Sequence, residues 1–283
     1  MEADKEESPF FIPQMSVLHR HNVTRTGAGT GRTLLFAHGY GCDQNVWQPV
    51  ASALADNHEV VLYDYAGCGG ADPALYDPVR HATLDGHADD LIAICDAAGL
   101  DRPVLIAHSV GTMIAVLAAQ RRPKLFDALV LIAPSPSYIN DGAYVGGFER
   151  EDIDDLLDTL ESNHFGWARM MAPVVMGNPE QPELAGALSE SFCRMDSTIA
   201  RHFARVTFLS DHRIAVEKVS TPSLLMQCSD DALAAPAVGE YLARQMTGSS
   251  LVQLAATGHC PHMSAPSEVI KVLSDFLEQR SCT

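Results

Sequence analysis

Basic residues are scarce in this sequence: 19 Lys and Arg stand against 36 Asp and Glu, for a formal net charge of -17. A surface so acidic repels phosphate backbones and anionic lipid, which makes nucleic acid and membrane surfaces poor partners. The bland reading of the excess acid is solubility. Patterned cysteine is also missing. The seven cysteines (42, 68, 95, 193, 228, 260 and 282) form an odd, scattered set without CxxC or finger-like spacing. That speaks against a disulfide framework or a zinc site and for a reducing compartment. The longest apolar runs, such as Met113–Ala119 and Ala128–Ala133, fall far short of a membrane span. The start, MEADKEESPFF, lacks the basic and apolar regions of a signal peptide. A cytoplasmic protein is expected.

What is present describes one large mixed domain. At 283 residues, 47% hydrophobic and 19% charged, the chain can bury a sizeable core without metal or disulfide. Residues 1–16 read as a polar, Pro-interrupted tail. After it, short apolar runs alternate with amphipathic stretches. The runs are LLFAHGYG (34–41), EVVLYDYAG (59–67), PVLIAHS (103–109), ALVLIAP (128–134), PSLLMQC (222–228) and SSLVQLAATGH (249–259). Nearly continuous hydrophobic strands indicate a sheet buried on both faces, hence mostly parallel, with helices as crossovers. Leu84, Ala88, Leu91, Ile92, Cys95 and Ala98 carry helical spacing, as do Val269, Ile270, Val272, Leu273 and Leu277. The expected fold class is a doubly wound α/β sheet with ligands gathering at the strands' carboxyl ends.

Between Ser135 and about Glu217 the rhythm breaks. EREDIDDLLDTLESN, WARMMAPVVM and STIARHFARVTFLS read as helices, and no strand-like run intervenes. Some 80 residues of helix are too long for a crossover, so residues 136–216 are expected to form an inserted lid. The core is then residues 17–135 and 217–283.

The strongest chemical signal is PVLIAHSVGTMIAVLAA (103–119). A buried strand runs into Ala107-His108-Ser109-Val110-Gly111, and an apolar helix follows at once. This strand–turn–helix context separates a nucleophile elbow from an ordinary serine N-cap. A serine hydroxyl needs a base, and the base needs an orienting acid. Ser229-Asp230-Asp231 and Gly258-His259-Cys260-Pro261-His262 each follow a buried strand, in the order Ser, Asp, His. Asp231 and His259 are the preferred pair, with Asp230 and His262 as alternates. The remaining histidines show no paired ligand spacing, and neither metal nor cofactor is expected. Two N–H donors are needed for an oxyanion. Val110 follows the nucleophile, and Tyr40 sits in the early His38-Gly39-Tyr40-Gly41 loop. Gly67-Cys68-Gly69-Gly70 looks like a phosphate loop, but no GK[ST] or GxGxxG follows, so it reads as a tight turn.

Together these motifs resemble the α/β-hydrolase superfamily. The longer strings HGYGCDQNVW (38–47), DYAGCGGAD (64–72), AHSVGTMIA (107–115), PSPSYIND (134–141), GGFE (146–149), FLSDHR (208–213), QCSDD (227–231) and GHCPHMSAP (258–266) resemble a particular branch of it. That branch holds the bacterial RsbQ-like stress-response regulators and the plant karrikin and strigolactone receptor hydrolases. The similarity spans about residues 17–280. It implies a triad of Ser109, Asp231 and His259, oxyanion donors at Tyr40 and Val110, and a four-helix lid over an apolar pocket. Phe148, Trp167, Phe203 and Phe208 are the residues expected to line that pocket. Ala107 and Gly111 depart from the family's usual Gly and Ser, but both stay small. The implied activity is hydrolysis of small apolar esters or butenolide-like lactones. The alternative is a ligand sensor whose lid docks a protein partner, a PAS-domain phosphatase in the RsbQ-like case. Dehalogenase or epoxide hydrolase chemistry would need Asp at position 109. Carbon–carbon bond hydrolysis, hydroxynitrile lysis and cofactor-free peroxidation keep the same three residues.

Overall fold

The computed structural model describes residues 16–27 and 31–281. The expected tail therefore lies outside the described residues, except for Ser16, which caps a short first helix, α1 (Val17–Arg20). The chain then alternates between sheet and helix. β1 (Thr24–Thr26), β2 (Thr33–Ala37), α2 (Gln48–Leu54), β3 (Glu59–Leu62), α3 (Leu84–Ala98), β4 (Val104–His108), α4 (Val110–Arg121) and β5 (Ala128–Ile132) make the first half. Four helices follow: α5 (Arg150–Ser162), α6 (His164–Met176), α7 (Pro182–Arg194) and α8 (Ser197–Phe208). The short α9 (Arg213–Val216) leads back to β6 (Ser223–Asp230), α10 (Pro236–Gln245), β7 (Ser249–Thr257), α11 (Pro261–Ser264) and α12 (Pro266–Ser281).

Among the described residues, seven strands form one sheet in the order β1-β3-β2-β4-β5-β6-β7. Every neighbouring pair is parallel except β1 with β3. Six strands coincide with the apolar runs of the sequence. β1 does not, because its residues Thr-Arg-Thr are all exposed at the sheet edge and show no burial pattern. In the centre, β4 and β5 are buried at every position, and alternate side chains serve two cores. Leu35, Val61, Leu105 and Leu129 pack with α3, α4 and the insertion. Phe36, Val60, Ile106 and Val130 pack on the opposite face with Trp47, Val269, Leu273 and Leu277. Each such aliphatic side chain contributes about 1.5–3 kcal/mol by leaving water. A charge at Ile106 would break the centre of the sheet.

The insertion between β5 and β6 is built from amphipathic helices. α5 starts at a reciprocal cap between Glu149 and Asp152, and buries Ile153, Leu157 and Leu160 along one stripe while its acids face out. α6 ends at Gly177, whose positive φ of 64° closes the helix. α8 buries Ala200, Phe203, Ala204, Thr207 and Phe208. α7 turns Leu188, Ser191 and Phe192 inward, with Leu184 partly buried one turn before them. No helix among the described residues is long and apolar enough to cross a membrane.

Candidate active site

Ser109 stands between the last residue of β4 and the first of α4, with φ 54° and ψ -126°. A non-glycine residue held there stores about 1–3 kcal/mol of strain, so the surroundings must enforce it. They do so by hydrogen bonds. The Ser109 amide donates to the Ile132 carbonyl (3.0 Å), and the Ser109 carbonyl accepts from both the amide and the hydroxyl of Thr112. Gly111 is needed for space: a Cβ there would lie 2.7 Å from the His38 carbonyl oxygen and 3.0 Å from the Tyr65 hydroxyl. The strained turn lifts the hydroxyl above the sheet at a helix N-terminus, where unpaired N–H groups and the dipole favour negative charge.

The Ser109 Oγ lies 2.7 Å from His259 Nε2. On the other side of the ring, Nδ1 lies 2.8 and 3.0 Å from the two carboxylate oxygens of Asp231. All three residues are buried. The Asp231 carboxylate also accepts from the amides of Leu233 (2.8 Å) and Ala234 (3.1 Å), which fix its orientation. A carboxylate on Nδ1 puts the proton there and leaves the Nε2 lone pair facing the hydroxyl. The alternates are placed elsewhere. Asp230 is exposed at the end of β6. His262 is fully buried and packs on Trp47, with ring centres 4.4 Å apart. Behind the site, His108 Nε2 hydrogen-bonds to the His259 carbonyl (2.7 Å). Burial and the nearby His262 hold the His108 ring neutral by depressing its pKa.

Tyr40 follows β2 in a loop that runs against the elbow. A Cβ at Gly39 would meet His108 Nδ1 at 2.7 Å, and Gly41 takes a positive φ of 67°. The sequence pointed only to the Tyr40 amide, yet its side chain ties the loop to the insertion. The hydroxyl donates to the Ala200 carbonyl of α8 (2.9 Å), and the ring packs against Trp167, Phe192, Phe203 and Phe208. Val110, the other expected donor, is the first residue of α4.

A narrow cavity of about 30 Å³ opens over Ser109 and His259. Trp167 and Phe208 are in its wall, but Phe148 and Phe203 are not. Phe203 sits one layer back, behind Tyr40 and against His87, with centroids 5.7 and 4.6 Å away. Phe148 is half-buried in the bridge it forms with Ile139. Other apolar side chains of the insertion also miss the cavity: Phe165, Met170 and Val174 are 58%, 52% and 49% exposed on the outside of α6. Leu188 and Phe192 of α7, Met171 and Val175 of α6, and Tyr138 take their place. The spacing of Leu188 and Phe192, four apart on a helix, was the available signal. Tyr138 lines the cavity together with Ser109, and burial pushes its pKa up to about 12.

A wider cleft of about 420 Å³ lies on the far side of Cys42, lined by Gly67, Cys68, Arg194 and Ile199 among others. It contains none of Ser109, Asp231 and His259. The Gly67–Gly70 segment is a turn that cradles a side chain of its own protein. Asp64 accepts there from the Gly70 amide (2.8 Å), the Gln44 amide (2.7 Å) and Asn22 (2.7 Å). The place of an anion is filled by that carboxylate.

The chain is similar to known proteins over most of its length. The chain is 38% identical over 89% of its length to a karrikin insensitive 2 receptor of Petunia hybrida, covering 94% of that protein. It is 36% identical to a strigolactone esterase of Pisum sativum, over 93% of this chain and 98% of the other. Among solved structures, a hydrolase from Oleispira antarctica superposes with a TM-score of 0.90 at 39% identity, over 93% of this chain and 96% of that one. The sequence model of the alpha/beta hydrolase family matches residues 34–272. With an α/β-hydrolase fold, an elbow serine and relatives similar over nearly their whole length, the chain belongs to the alpha/beta hydrolase family.

Proposed function

We propose that the protein hydrolyses small uncharged esters or lactones, butenolide-like ones included, through an acyl-enzyme on Ser109. The observation that carries this reading is the unbroken hydrogen-bonded chain Asp231–His259–Ser109 opening into an apolar cavity. Ser109 Oγ attacks the carbonyl carbon while its proton passes to His259 Nε2, and Asp231 stabilises the imidazolium. The Tyr40 and Val110 amides hold the oxyanion. Collapse expels the alcohol oxygen, which takes the proton from His259; in a lactone that oxygen stays tethered to the acyl group. A water activated by His259 then releases the acid and restores Ser109. The residues need neither metal nor cofactor for this. A lid of α5 to α8 supports the chemistry by excluding water from the oxyanion. The test is labelling with a fluorophosphonate together with turnover of 1-naphthyl acetate. Both are expected in the native protein and neither in Ser109→Ala; labelling that persists in the variant would overturn the assignment.

A sensor reading is favoured by a separate observation. Phe165, Met170 and Val174 expose an apolar strip on α6, the same helix whose Met171 and Val175 line the cavity. Ligand in the cavity could thus be felt by a docking face one helix-width away, and a relative is named a receptor. Slow turnover with tight binding and a ligand-induced rise in Tm would support sensing in a signalling pathway. Fast multiple turnover of the same ligand would count against it.

A further inference from the structure

We propose that His81, His87 and Asp90 form a binding site for one borderline-soft divalent metal ion, of which Zn2+ is the type. One donor atom from each of the three lies within 4.8 Å of the others, and all three residues are buried. The cluster is separate from Ser109 and its partners. His87 and Asp90 are three apart on α3 and share a face. His81 precedes the Thr83 N-cap of that helix, and the turn between folds its ring back onto the same face, 4.6 Å from the His87 ring centre.

His87 supplies the observation that points to a ligand. It is fully buried, and neither ring nitrogen has a hydrogen-bond partner. Its surroundings are the rings of His81, Tyr65, Tyr76 and Phe203. An imidazole needs no nitrogen lone pair to pack among aromatics, and a buried polar atom left unpaired is costly. A cation at the centre of the three donors gives that lone pair a partner. His81 is arranged for the same task. Its Nδ1 lies 3.1 Å from the Asp77 N–H and 3.0 Å from the Asp77 carbonyl, and its Nε2–H donates to Asp90 Oδ2 at 2.9 Å; a bound cation replaces that Nε2 proton, and the ring then carries its proton on Nδ1, toward the Asp77 carbonyl. A ligand histidine whose other nitrogen is held by a backbone carbonyl is the usual outer arrangement of a metal site. Asp90 keeps one oxygen for Arg80, an ion pair that the metal does not need to break.

Two imidazoles and one carboxylate select zinc and its neighbours over magnesium or calcium, which require oxygen cages. Bonds of about 2.0–2.1 Å put tetrahedral donors about 3.4 Å apart, so donors that now lie within 4.8 Å of one another must draw in on the ion. The fourth position falls to water. The ion would tie the Asp77–His81 turn to α3. Through Phe203, and through the hydrogen bond between Tyr76 and His202, it would also steady the seat of α8. Its role is structural, since none of the three residues lines the cavity over Ser109.

The test uses the full chain stripped with EDTA and titrated with Zn2+ alone against a chromophoric chelator, and with Co2+ followed in the visible. One equivalent per chain is expected, with Co2+ ligand-field bands and a Tm raised by about 5 °C at a hundredfold excess over Kd. His87→Phe and His81→Tyr, checked for folding by circular dichroism, are each expected to weaken Zn2+ binding by at least about tenfold. If one variant fails to fold, the other and the native Co2+ spectrum still decide. Absence of a stoichiometric site in the native chain, or unchanged affinity in the folded variants, overturns the proposal.

Discussion

The backbone N–H of His259 donates to the carbonyl of Val175 at 2.9 Å. Val175 belongs to α6, so the loop carrying the proposed base hangs on the helical insertion as well as on the sheet. The residue before it makes the approach close: a Cβ at Gly258, where φ is 80°, would fall 1.8 Å from the Met176 carbonyl oxygen. Gly258→Ala is therefore expected to push His259 off Ser109. Turnover should drop by at least about tenfold and Tm should fall, since both clash and positive φ penalise the methyl. An alanine variant with native rate and Tm would mean that the loop and α6 move independently.

Ser109→Ala should reduce ester turnover by about three or more orders of magnitude, with ligand binding retained. Asp231→Asn should come close to it, because an amide there permits the wrong imidazole tautomer. Steady-state kinetics with 1-naphthyl acetate separate the two effects from a change in KM.

Tyr138→Phe removes the hydroxyl beside Ser109 while keeping the ring that walls the cavity. A polar neighbour of the nucleophile is worth about 0.5–1.5 kcal/mol, so kcat is expected to change by about two- to tenfold. If kcat is unaffected and only KM moves, the phenol contacts substrate rather than the nucleophile.

Acid should destabilise the fold through its buried histidines. Burial, then the neighbouring His259, pushes the His262 pKa down from 6.5 to about 3, and burial also depresses His108 and His87. Above about pH 6.5 these rings are neutral folded or unfolded, and the stability is fully present. As pH falls toward 3, only the unfolded chain takes up their protons. Stability is then lost at up to about 1.4 kcal/mol per pH unit for each ring. Tm is expected to fall between pH 7 and pH 5, and His262→Phe should flatten that slope. An unchanged slope in the variant would place the acid sensitivity elsewhere.

The cavity's size sets the substrate. A volume of about 30 Å³ holds little more than a water, so even a small ester must displace Met171, Leu188 or Phe192. Methionine permits such repacking. Among nitrophenyl esters, acetyl should be hydrolysed faster than hexanoyl, and hexanoyl faster than dodecanoyl. Succinyl should be poor for want of a basic side chain in the wall. A preference for dodecanoyl would show that the wider cleft beyond Cys42 joins the cavity during turnover.

Local pattern alone determined a good deal of this protein. Six strands announced themselves because a sheet covered on both faces needs continuous apolar runs, and Ala107 and Gly111 marked the elbow because only small residues fit on either side of so tight a turn. Other features depended on contacts that no local pattern encodes. The order of β4, β6 and β7 in the sheet brings together residues 28 and 150 positions apart, and the turns after β6 and β7 decide that Asp231 and His259, not Asp230 and His262, line up with Ser109. β1 is held by backbone pairing with β3 and carries no apolar signature. α6 is apolar on two sides, so its sequence could not say that Trp167 faces inward and Phe165 outward. Nor could six residues of separation reveal that His81 and His87 meet. The segment before the Thr83 N-cap brings the two rings to 4.6 Å, and Tyr65, Tyr76 and Phe203 of α8 pack around them.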